Sequence, residues 1–306
     1  MLKRLLVCAL LLFIGSCGQR NEPVLRLAVD AGFQPAMEAL RGEFEAGCGC
    51  RLQITAGASG LLYGQIRAGE HFDVFLSADS ARPVLLEKAG FIVPSSRQDY
   101  ARGQLALWIS RRLSSNNASD RSPGTVSDDP DDEDSELTAL VAKLARSDRA
   151  LTPRQLILLL GLGKHKLVVA DPQLAPDGDA AVRMLKKLRL WPRLRGRVVF
   201  AGHAGHAQIL LQQGAGEMGL IPYGQALASG SSGQFMRIPP HFHPPIHQQM
   251  VILRSTRERS LAIRLLQYMR SAAVQQRLDT LGFFAVELPE PVRDTESRKG
   301  RNLTDG

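Results

Sequence analysis

The sequence of 306 residues lacks the motifs by which nucleotide-binding enzymes and serine hydrolases are usually detected. It has no phosphate-binding P-loop, and no dinucleotide fingerprint lies between a predicted strand and a predicted helix. It has no Gly-x-Ser-x-Gly elbow, the sharp turn that presents a nucleophilic serine. The net charge is +8, but only 6% of the residues are aromatic and the basic residues form no stripe. The sequence therefore predicts neither an enzyme nor a nucleic-acid-binding protein.

The N-terminus carries an apolar run that is too short to cross a membrane. It extends from Leu5 to Ile14 behind two basic residues, which is the pattern of a secretory signal peptide. The run ends in Ile-Gly-Ser-Cys, which resembles a bacterial lipobox and implies cleavage before Cys17 and lipidation of its thiol. We therefore predict a lipoprotein-type signal peptide over residues 1–16 and a mature protein that is lipid-anchored in the periplasm.

Removal of the signal peptide and lipidation of Cys17 leave two cysteines, Cys48 and Cys50. In an oxidising compartment, such closely spaced cysteines can form a disulfide. The short ring is strained, however, and Cys50 continues into a strand-like segment. The sequence therefore leaves an alternative open, in which one thiol is exposed and the other is buried.

Apolar segments typical of strands alternate with segments typical of helices along most of the chain. Strand-like Val24 to Val29, for example, precedes a helix-like segment that starts at Pro35. Such alternation predicts an α/β fold whose parallel strands are covered by helices. A polar and acidic insertion over residues 113–137 interrupts the alternation, and we expect it to be disordered or loosely ordered, because it has too few apolar residues to offset the cost of ordering. The residues Leu137 to Leu144 at its end are helix-like. Residues 287–306 form a polar tail that we also expect to be disordered.

Four turns rich in Gly, Ser and Pro run directly into helix-like segments, and none of them contains Lys or Arg. The start of a helix exposes unpaired N–H groups and about half a positive charge. Several helix starts directed at one point can therefore form an anion site without a cationic side chain. The four turns comprise residues 30–35, 57–60, 175–178 and 202–206.

These turns and the segments around them resemble the periplasmic molybdate-binding proteins of ABC transporters. Residues 57–63 are similar to the family's Gly-Ser-Ser-Gly-x-Leu-Tyr, and residues 171–178 are similar to its Asn-Pro-x-x-Ala-Pro-Tyr-Gly. Residues 243–248 are similar to its His-x-Pro-Ile-x-Gln. Two further segments, residues 72–79 and 100–108, also match characteristic parts of the family.

The resemblance covers about residues 25–286 and implies a two-lobed periplasmic binding protein fold of type II, with two crossovers between the lobes. Lobe 1 comprises residues 24–105 together with residues 248–286 in this interpretation. Lobe 2 comprises residues 106–247 and contains the acidic insertion. The two lobes are expected to close on the ligand like a hinged trap.

The resemblance also implies which residues contact the ligand. The expected positions are Gly32, Ser59, the backbone N–H groups of Asp177 and Ala204, and Tyr223. Two of them depart from the family's pattern. Gly32 has no side-chain donor, and Asp177 places a carboxylate where many members have an uncharged residue. A like charge close to a dianion weakens its binding unless the carboxyl group is protonated or points away.

The function implied by the resemblance is that of a solute-binding protein that delivers molybdate or tungstate to an ABC permease. The protein is expected to act as a monomer, without a cofactor, a resident metal or a nucleic-acid partner. Another anion, such as sulfate, phosphate or a small carboxylate, is the alternative ligand within the same class of protein.

The residue types also suggest two other classes of protein, a metal-binding protein and an enzyme. His203 and His206 have a spacing that suits metal ligation on a helix, and three further histidines lie within residues 241–247, so a periplasmic metal-binding protein is an alternative. Ser59, His203 and Asp73 are the residue types of a catalytic triad. Since no nucleophile elbow accompanies them, we expect no enzymatic activity.

Overall fold

The structure is a computed structural model that describes residues 22–114, 133–145, 151–162 and 164–287. The predicted signal peptide, the lipidation site Cys17 and nearly all of the predicted tail lie outside these residues. Within them, no helix combines the length and the apolar character needed to cross a bilayer.

The described residues form two β-sheets. The strand order is β11-β4-β10-β3-β1-β2 in the first sheet and β7-β6-β8-β5-β9 in the second. In chain order the strands are β1 (Val24–Asp30), β2 (Arg51–Gly57), β3 (Val74–Ser77), β4 (Gln98–Gly103), β5 (Leu105–Ser110), β6 (Leu167–Ala170), β7 (Val198–Ala201), β8 (Met218–Pro222), β9 (Gly233–Arg237), β10 (Ile246–Ile252) and β11 (Phe283–Phe284).

Three neighbouring parallel strands form one side of each sheet. In the first sheet β1 runs parallel to β2 and β3, and β10 runs antiparallel to β3 and β4. In the second sheet β6 runs parallel to β7 and β8, and β5 runs antiparallel to β8 and β9. The carboxyl ends of neighbouring parallel strands meet at one edge of a sheet, which is where open α/β sheets bind their ligands.

The chain passes between the two sheets twice. It leaves the first sheet after β4, which ends at Gly103, and enters the second with β5, which begins at Leu105. It returns between Arg237, the last residue of β9, and Ile246, the first residue of β10. The predicted α/β class with two crossovers is therefore confirmed. The residue bounds of the two predicted lobes stay a prediction.

Helices pack on both sheets. In chain order they are α1 (Gln34–Cys48), α2 (Ser59–Arg67), α3 (Ala81–Lys88), α4 (Arg111–Ser114), α5 (Glu133–Ala145), α6 (Pro153–Gly161), α7 (Pro176–Lys187), α8 (Trp191–Leu194), α9 (Ala204–Gln212), α10 (Tyr223–Ala228), α11 (Arg259–Met269) and α12 (Ala272–Arg277).

Each sheet has its own apolar core. On the first sheet, α1 contributes Met37, Leu40 and Phe44, three residues that recur at helical spacing on its buried face. On the second sheet, α7 contributes Met184 and Leu185 to a separate cluster. Since burial of one such side chain stabilises a fold by about 1.5–3 kcal/mol, each sheet has an independent source of stability.

Both ends of the predicted insertion, residues 113–137, belong to helices that pack into the core, and the helix-like segment from Leu137 to Leu144 lies within α5. Leu113 lies in α4 and Leu137 lies in α5, and both are buried in the core of the second sheet. Residues 115–132 lie outside the described residues. The apolar side chains of α5 recur three and four residues apart, and this spacing outweighs the acidic run before them.

Cys48 and Cys50 form a disulfide, with their Cα atoms 5.2 Å apart. Of the two alternatives that the sequence left open, the structure therefore has the disulfide. Gly49 lies between the two cysteines at φ 61°, a left-handed conformation that glycine adopts without a steric penalty. The bridge ends α1 and leads the chain into β2.

Candidate functional site

Two of the predicted turns lie side by side because the strands before them are neighbours. β1 and β2 are in register, with Asp30 at the end of one strand opposite Gly57 at the end of the other. The Ala31 N–H donates to the Gly57 carbonyl oxygen over 2.9 Å. The turn that contains Gly32 is thereby held against the start of α2, whose first residue is Ser59.

The Asp30 carboxylate occupies the point at which the donors of these two turns converge. Its Oδ1 accepts a hydrogen bond from the Gly32 N–H at 2.9 Å. Its Oδ2 accepts from the Ser59 N–H at 3.1 Å and from Ser59 Oγ at 2.5 Å. Ser59 Oγ accepts in turn from the Ala78 N–H at 2.9 Å. The donors predicted for an external anion therefore hold an internal carboxylate, which is only 2% exposed.

The start of α7 lies against the start of α2, which brings the third predicted turn to the first two. The Gly60 N–H donates to the Leu174 carbonyl oxygen over 2.9 Å and so joins an element of the first sheet to one of the second. Small side chains allow this close approach. Three buried alanines pack together here: Ala58, Ala170 and Ala175.

Asp177 lies in the first turn of α7 and is 4% exposed. Neither of its carboxyl oxygens has a hydrogen-bond partner within the described part of the chain. Gly178, the next residue, sets the helix start directly on the end of β6. A Cβ atom at this position would lie 2.2 Å from the Ala170 carbonyl oxygen, a distance that no side chain tolerates.

The two buried carboxyl groups influence each other. Burial, and then the negative charge of Asp30, raise the pKa of Asp177 to about 7, although the N–H groups of Asp177 and Gly178 oppose the shift. Burial also raises the pKa of Asp30, although its hydrogen bonds from Ser59 and Gly32 oppose the shift. The two groups therefore lie close enough for the charge of one to disfavour the charge of the other.

Neither carboxyl group has a basic partner among the residues that the structure describes. The ion pairs between described residues include neither Asp30 nor Asp177. Arg82 forms an ion pair with Asp79, just before α3, and donates to the Gln173 carbonyl oxygen at 3.2 Å, so it pairs with neither Asp30 nor Asp177. The negative charge of the two carboxyl groups is therefore not offset by an ion pair with a described Lys or Arg.

A cavity of about 330 Å³ adjoins the site. Ala78, whose N–H donates to Ser59, lines it from the first sheet, and Pro176 at the start of α7 lines it from the second. Arg183 also lines the cavity and lies 3.5 Å from Asp179. The cavity therefore lies between the elements of the two sheets, next to the carboxyl pair.

The fourth predicted turn is ordered by its own histidines. His203 caps α9, because its Nδ1 accepts a hydrogen bond from the His206 N–H at 3.2 Å. His206 Nδ1 accepts from the Gly202 N–H at 3.1 Å. Burial, and then the proximity of His206, lowers the pKa of His203. Ala204 is the first residue of α9 and is buried.

The histidines form no metal centre in the described part of the chain. No group of three His, Cys, Asp or Glu side chains there is placed to hold an ion. His243 is buried, with its Nδ1 2.8 Å from the Pro244 carbonyl oxygen. His241 lies near α7, where its carbonyl oxygen accepts from Lys187 Nζ at 2.8 Å. The metal-binding alternative therefore gains no support from the geometry.

Gln225 on α10 links the fourth turn to the first. Its Nε2 donates to the Ala31 carbonyl oxygen at 2.6 Å, although α10 belongs to the second sheet and Ala31 to the first. A Cβ atom at Gly205 would lie 4.0 Å from the same Nε2. Tyr223, on the same helix, is turned elsewhere: its ring centroid lies 5.9 Å from that of Phe235 and 5.4 Å from the Arg237 guanidinium carbon.

Asp73 does not belong to the site. Its carboxylate accepts hydrogen bonds from the Arg26 N–H at 2.7 Å and from Thr256 Oγ1 at 2.7 Å, just before β3 begins. Ser59 lies near Ala78, which follows the other end of β3. Ser59, His203 and Asp73 therefore do not form a triad.

The sequence-based reasoning missed two residues of this site, Asp30 and Gln225. Asp30 is the last residue of an apolar strand, and a carboxylate at the end of a buried strand is a sequence signal for a site residue. Gln225 gave no comparable signal, because its role depends on how the second sheet is placed against the first. The structure brings Gly32, Ser59 and the start of α7 together and connects the fourth turn through Gln225.

Comparison with known proteins adds three findings. The family described as bacterial extracellular solute-binding protein matches residues 25–284 of the chain. The molybdate-binding protein ModA of Azotobacter vinelandii is 28% identical over 280 residues, which are 91% of this chain and 96% of the relative. The molybdate-binding protein ModA of Rhodobacter capsulatus is 26% identical over 256 residues, which are 84% of this chain and 86% of the relative.

The fold has a solved counterpart. The periplasmic molybdate-binding protein of Azotobacter vinelandii superposes with a TM-score of 0.66 at 26% sequence identity. The match covers 86% of this chain and 100% of the solved chain. Both crossovers between the sheets lie within residues 25–284, which the family model matches.

Proposed function

The chain belongs to the bacterial extracellular solute-binding protein family, and we propose that it captures a small tetrahedral oxyanion, molybdate above all, for an ABC importer. The names of its ModA relatives support molybdate as the ligand. Tungstate has the same charge and geometry and is the second candidate.

One observation carries the proposal: three donors from two turns already hold an anionic group. The Gly32 N–H, the Ser59 N–H and the Ser59 hydroxyl all donate to the Asp30 carboxylate. Carboxylate oxygens and oxyanion oxygens accept the same hydrogen bonds. We propose that the ligand's oxygens take over these donors, and that the backbone N–H groups at Asp177 and Ala204 supply further ones.

Capture depends on closure of the two sheets in this proposal. Gly60 donates to Leu174 at 2.9 Å, Gln225 donates to Ala31 at 2.6 Å, and these bonds join elements of opposite sheets. They can form only when the sheets are close, so they favour the closed state once a ligand fills the site. We assign residues 24–105 with 248–286 to one lobe and residues 106–247 to the other.

The location we propose follows from the N-terminal sequence. Cleavage before Cys17 and lipidation of its thiol would tether the protein as a monomer in the periplasm, where it can deliver its ligand to the permease. The chain acts by binding and release in this proposal, with no chemical step.

A ligand screen tests the proposed function. The mature protein is titrated in a calorimeter with molybdate, tungstate, sulfate and phosphate over a range of pH. We expect saturable binding of at least one tetrahedral oxyanion, with molybdate or tungstate bound more tightly than sulfate, because the ModA relatives are molybdate-binding proteins. Absence of binding by all four anions at every pH would exclude the proposal.

A further inference from the structure

Two buried carboxyl groups lie in a site whose proposed ligand is a dianion. Asp30 and Asp177 are 2% and 4% exposed, and neither forms an ion pair with a described basic residue. Charges of one sign repel strongly where water is excluded, because the local dielectric is low. A doubly charged ligand beside two ionised carboxylates would therefore be expelled unless the negative charge is reduced.

Protons are the available means of reducing that charge. A protonated carboxyl group carries an O–H donor, whereas an ionised one can only accept hydrogen bonds. Neither oxygen of Asp177 has a hydrogen-bond partner among the described residues, so a hydrogen on either of them can donate to a ligand oxygen. Such a donor would also replace the side-chain donor that Gly32 lacks.

We propose that the site binds an oxyanion together with at least one proton, which Asp177 shares with a ligand oxygen. Asp30 is the second carboxyl group that can carry a proton. The inference rests on the proposed function, since it concerns the same site. It makes oxyanion capture proton-linked: a ligand without a proton must take one up from solution, and a ligand that already carries one can share it with the carboxylate.

The groups around the pair do not supply the missing positive charge. Asp79 lies near Asp30 and adds repulsion, although Arg82 pairs with it. The buried Tyr100 phenol on β4 stays neutral, because burial, followed by the charges of Asp30 and Asp79, raises its pKa. At the fourth turn, burial lowers the pKa of His203, which disfavours an imidazolium there.

The inference predicts which oxyanions gain from acidification. Molybdate, tungstate and sulfate carry no proton near neutral pH, so their binding should tighten about tenfold per pH unit for each proton taken up. Hydrogen phosphate carries its own proton and should depend on pH much less. The site would thus rank the same four anions differently at different pH.

Titration calorimetry of the mature protein with molybdate tests the inference. Protons taken up on binding are counted from the difference in heat between two buffers of unequal ionisation enthalpy. We expect uptake of about one proton and a Kd that rises about tenfold per unit above about pH 7, because each proton contributes one decade per unit. Asp177→Asn should still bind molybdate, since the amide is a neutral donor, but with one proton fewer and a flatter pH profile.

Asp179→Asn is the matched control, because Asp179 lies on the same helix but is half-exposed beside Arg183. It should retain the proton uptake of the unmodified protein. Molybdate binding without proton uptake and without pH dependence would overturn the inference and leave the proposed function intact. Failure of every oxyanion to bind at any pH would overturn both. The number of protons that the unmodified protein takes up on binding molybdate tests the inference even if Asp177→Asn does not fold.

Discussion

Ser59 donates its hydroxyl hydrogen to Asp30 Oδ2 over 2.5 Å, so the side chain expected to hold an external anion holds one of the chain's own. The same oxygen of Asp30 also accepts from the Ser59 N–H, and the other accepts from the Gly32 N–H. The site is thereby kept ordered and its donors satisfied before a ligand arrives. A ligand must compete with this internal carboxylate or bind when its charge is neutralised.

Ser59→Ala should weaken oxyanion binding. The substitution removes the one hydroxyl donor of the site, and a hydrogen bond to a charged partner contributes about 1.5–3 kcal/mol. We expect the Kd for molybdate, measured by titration calorimetry, to rise by a factor of about 10 to 100.

The matched control for this change is Ser271→Ala. Like Ser59, Ser271 lies at the start of a helix, but it caps α12, where its Oγ accepts from the Val274 N–H at 3.3 Å, and not a helix of the site. Its loss should cost about 0.5–2 kcal/mol of stability and leave the Kd unchanged. Equal affinity of Ser59→Ala and the unmodified protein would show that the hydroxyl is not a ligand donor.

The resemblance to the molybdate-binding family implied that these turns meet, and the sheet topology gives the physical reason. Because β1 and β2 are neighbouring parallel strands, the turns after them lie together at one edge of the sheet. The direction of the Asp30 side chain could not be predicted in the same way, because it depends on the register of β1 and on the donors available around it. The contact of Gln225 with Ala31 requires the two sheets to be placed against each other.

Strand β9 shows another limit of prediction from sequence. Gly233–Arg237 is a short edge strand with only two apolar side chains, Phe235 and Met236, and it pairs with β5 alone. Nothing in its own residues distinguishes it from a loop. Leu137 in α5 shows the reverse case, since the helical spacing of the apolar residues from Leu137 to Leu144 predicted a helix despite the acidic residues before it.

Gly178→Ala should disrupt the start of α7. The new Cβ atom would lie 2.2 Å from the Ala170 carbonyl oxygen, and because that oxygen belongs to the backbone of β6 it cannot rotate away. Overpacking of this kind costs about 1–3 kcal/mol. We expect a lower melting temperature and weaker molybdate binding, because the helix start must shift away from the site.

Gly64→Ala is the control for that substitution. Gly64 lies within α2, and no atom would lie within 4 Å of a Cβ at this position. Because alanine favours a helix over glycine, this variant should be as stable as the unmodified protein or more stable by up to about 1 kcal/mol. If both variants melt alike, the contact with Ala170 does not constrain the fold.

The unliganded protein should lose stability as the pH rises from about 4 to about 7 on account of Asp177. Burial raises the pKa of this group to about 7 in the folded protein, whereas an unfolded chain has the usual value near 4. Between these two values the folded state binds more protons than the unfolded state, so the free energy of unfolding falls as the pH rises. The stabilisation due to protonated Asp177 is present in full below the pKa of the unfolded chain and is lost above the pKa of the folded protein.

The measurement is the difference in the free energy of unfolding between Asp177→Asn and the unmodified protein across this range of pH. Titration of Asp177 changes the free energy of unfolding by at most about 1.4 kcal/mol per pH unit. The asparagine variant should therefore gain relative stability as the pH rises toward 7. A difference that does not vary with pH would mean that Asp177 titrates normally. Asp179→Asn should show no such gain.

Cys17→Ser should release the protein from the membrane fraction. The hydroxyl cannot accept the thioether-linked lipid that the lipobox-like sequence predicts, and the anchor would be lost. Fractionation of cells that express the full chain, with mass spectrometry of the mature N-terminus, measures the result. Cys8→Ser is the control, because Cys8 lies within the predicted signal peptide and should be removed in either case. An unmodified N-terminus at another position in the unmodified protein would contradict the prediction.

Gln225→Ala should shift the protein toward an open arrangement of its two sheets. Gln225 is buried on α10, and its Nε2 donates to the Ala31 carbonyl oxygen at 2.6 Å, across the two sheets. Removal of the donor leaves that carbonyl without this partner in the closed state, while in an open state water can replace it. The loss of one such bond, about 1 kcal/mol, should raise the Kd for molybdate about fivefold.

Small-angle scattering separates this effect from a direct loss of ligand contact. The unliganded Gln225→Ala protein should have a larger radius of gyration than the unmodified one, and saturating molybdate should bring the two to the same value. Gln212→Ala is the control, since Gln212 is exposed at the end of α9. If Gln225→Ala binds more weakly but scatters as the unmodified protein does, Gln225 acts on the ligand site itself. If neither quantity changes, the bond to Ala31 does not stabilise the closed state, and closure must depend on the contact between the starts of α2 and α7.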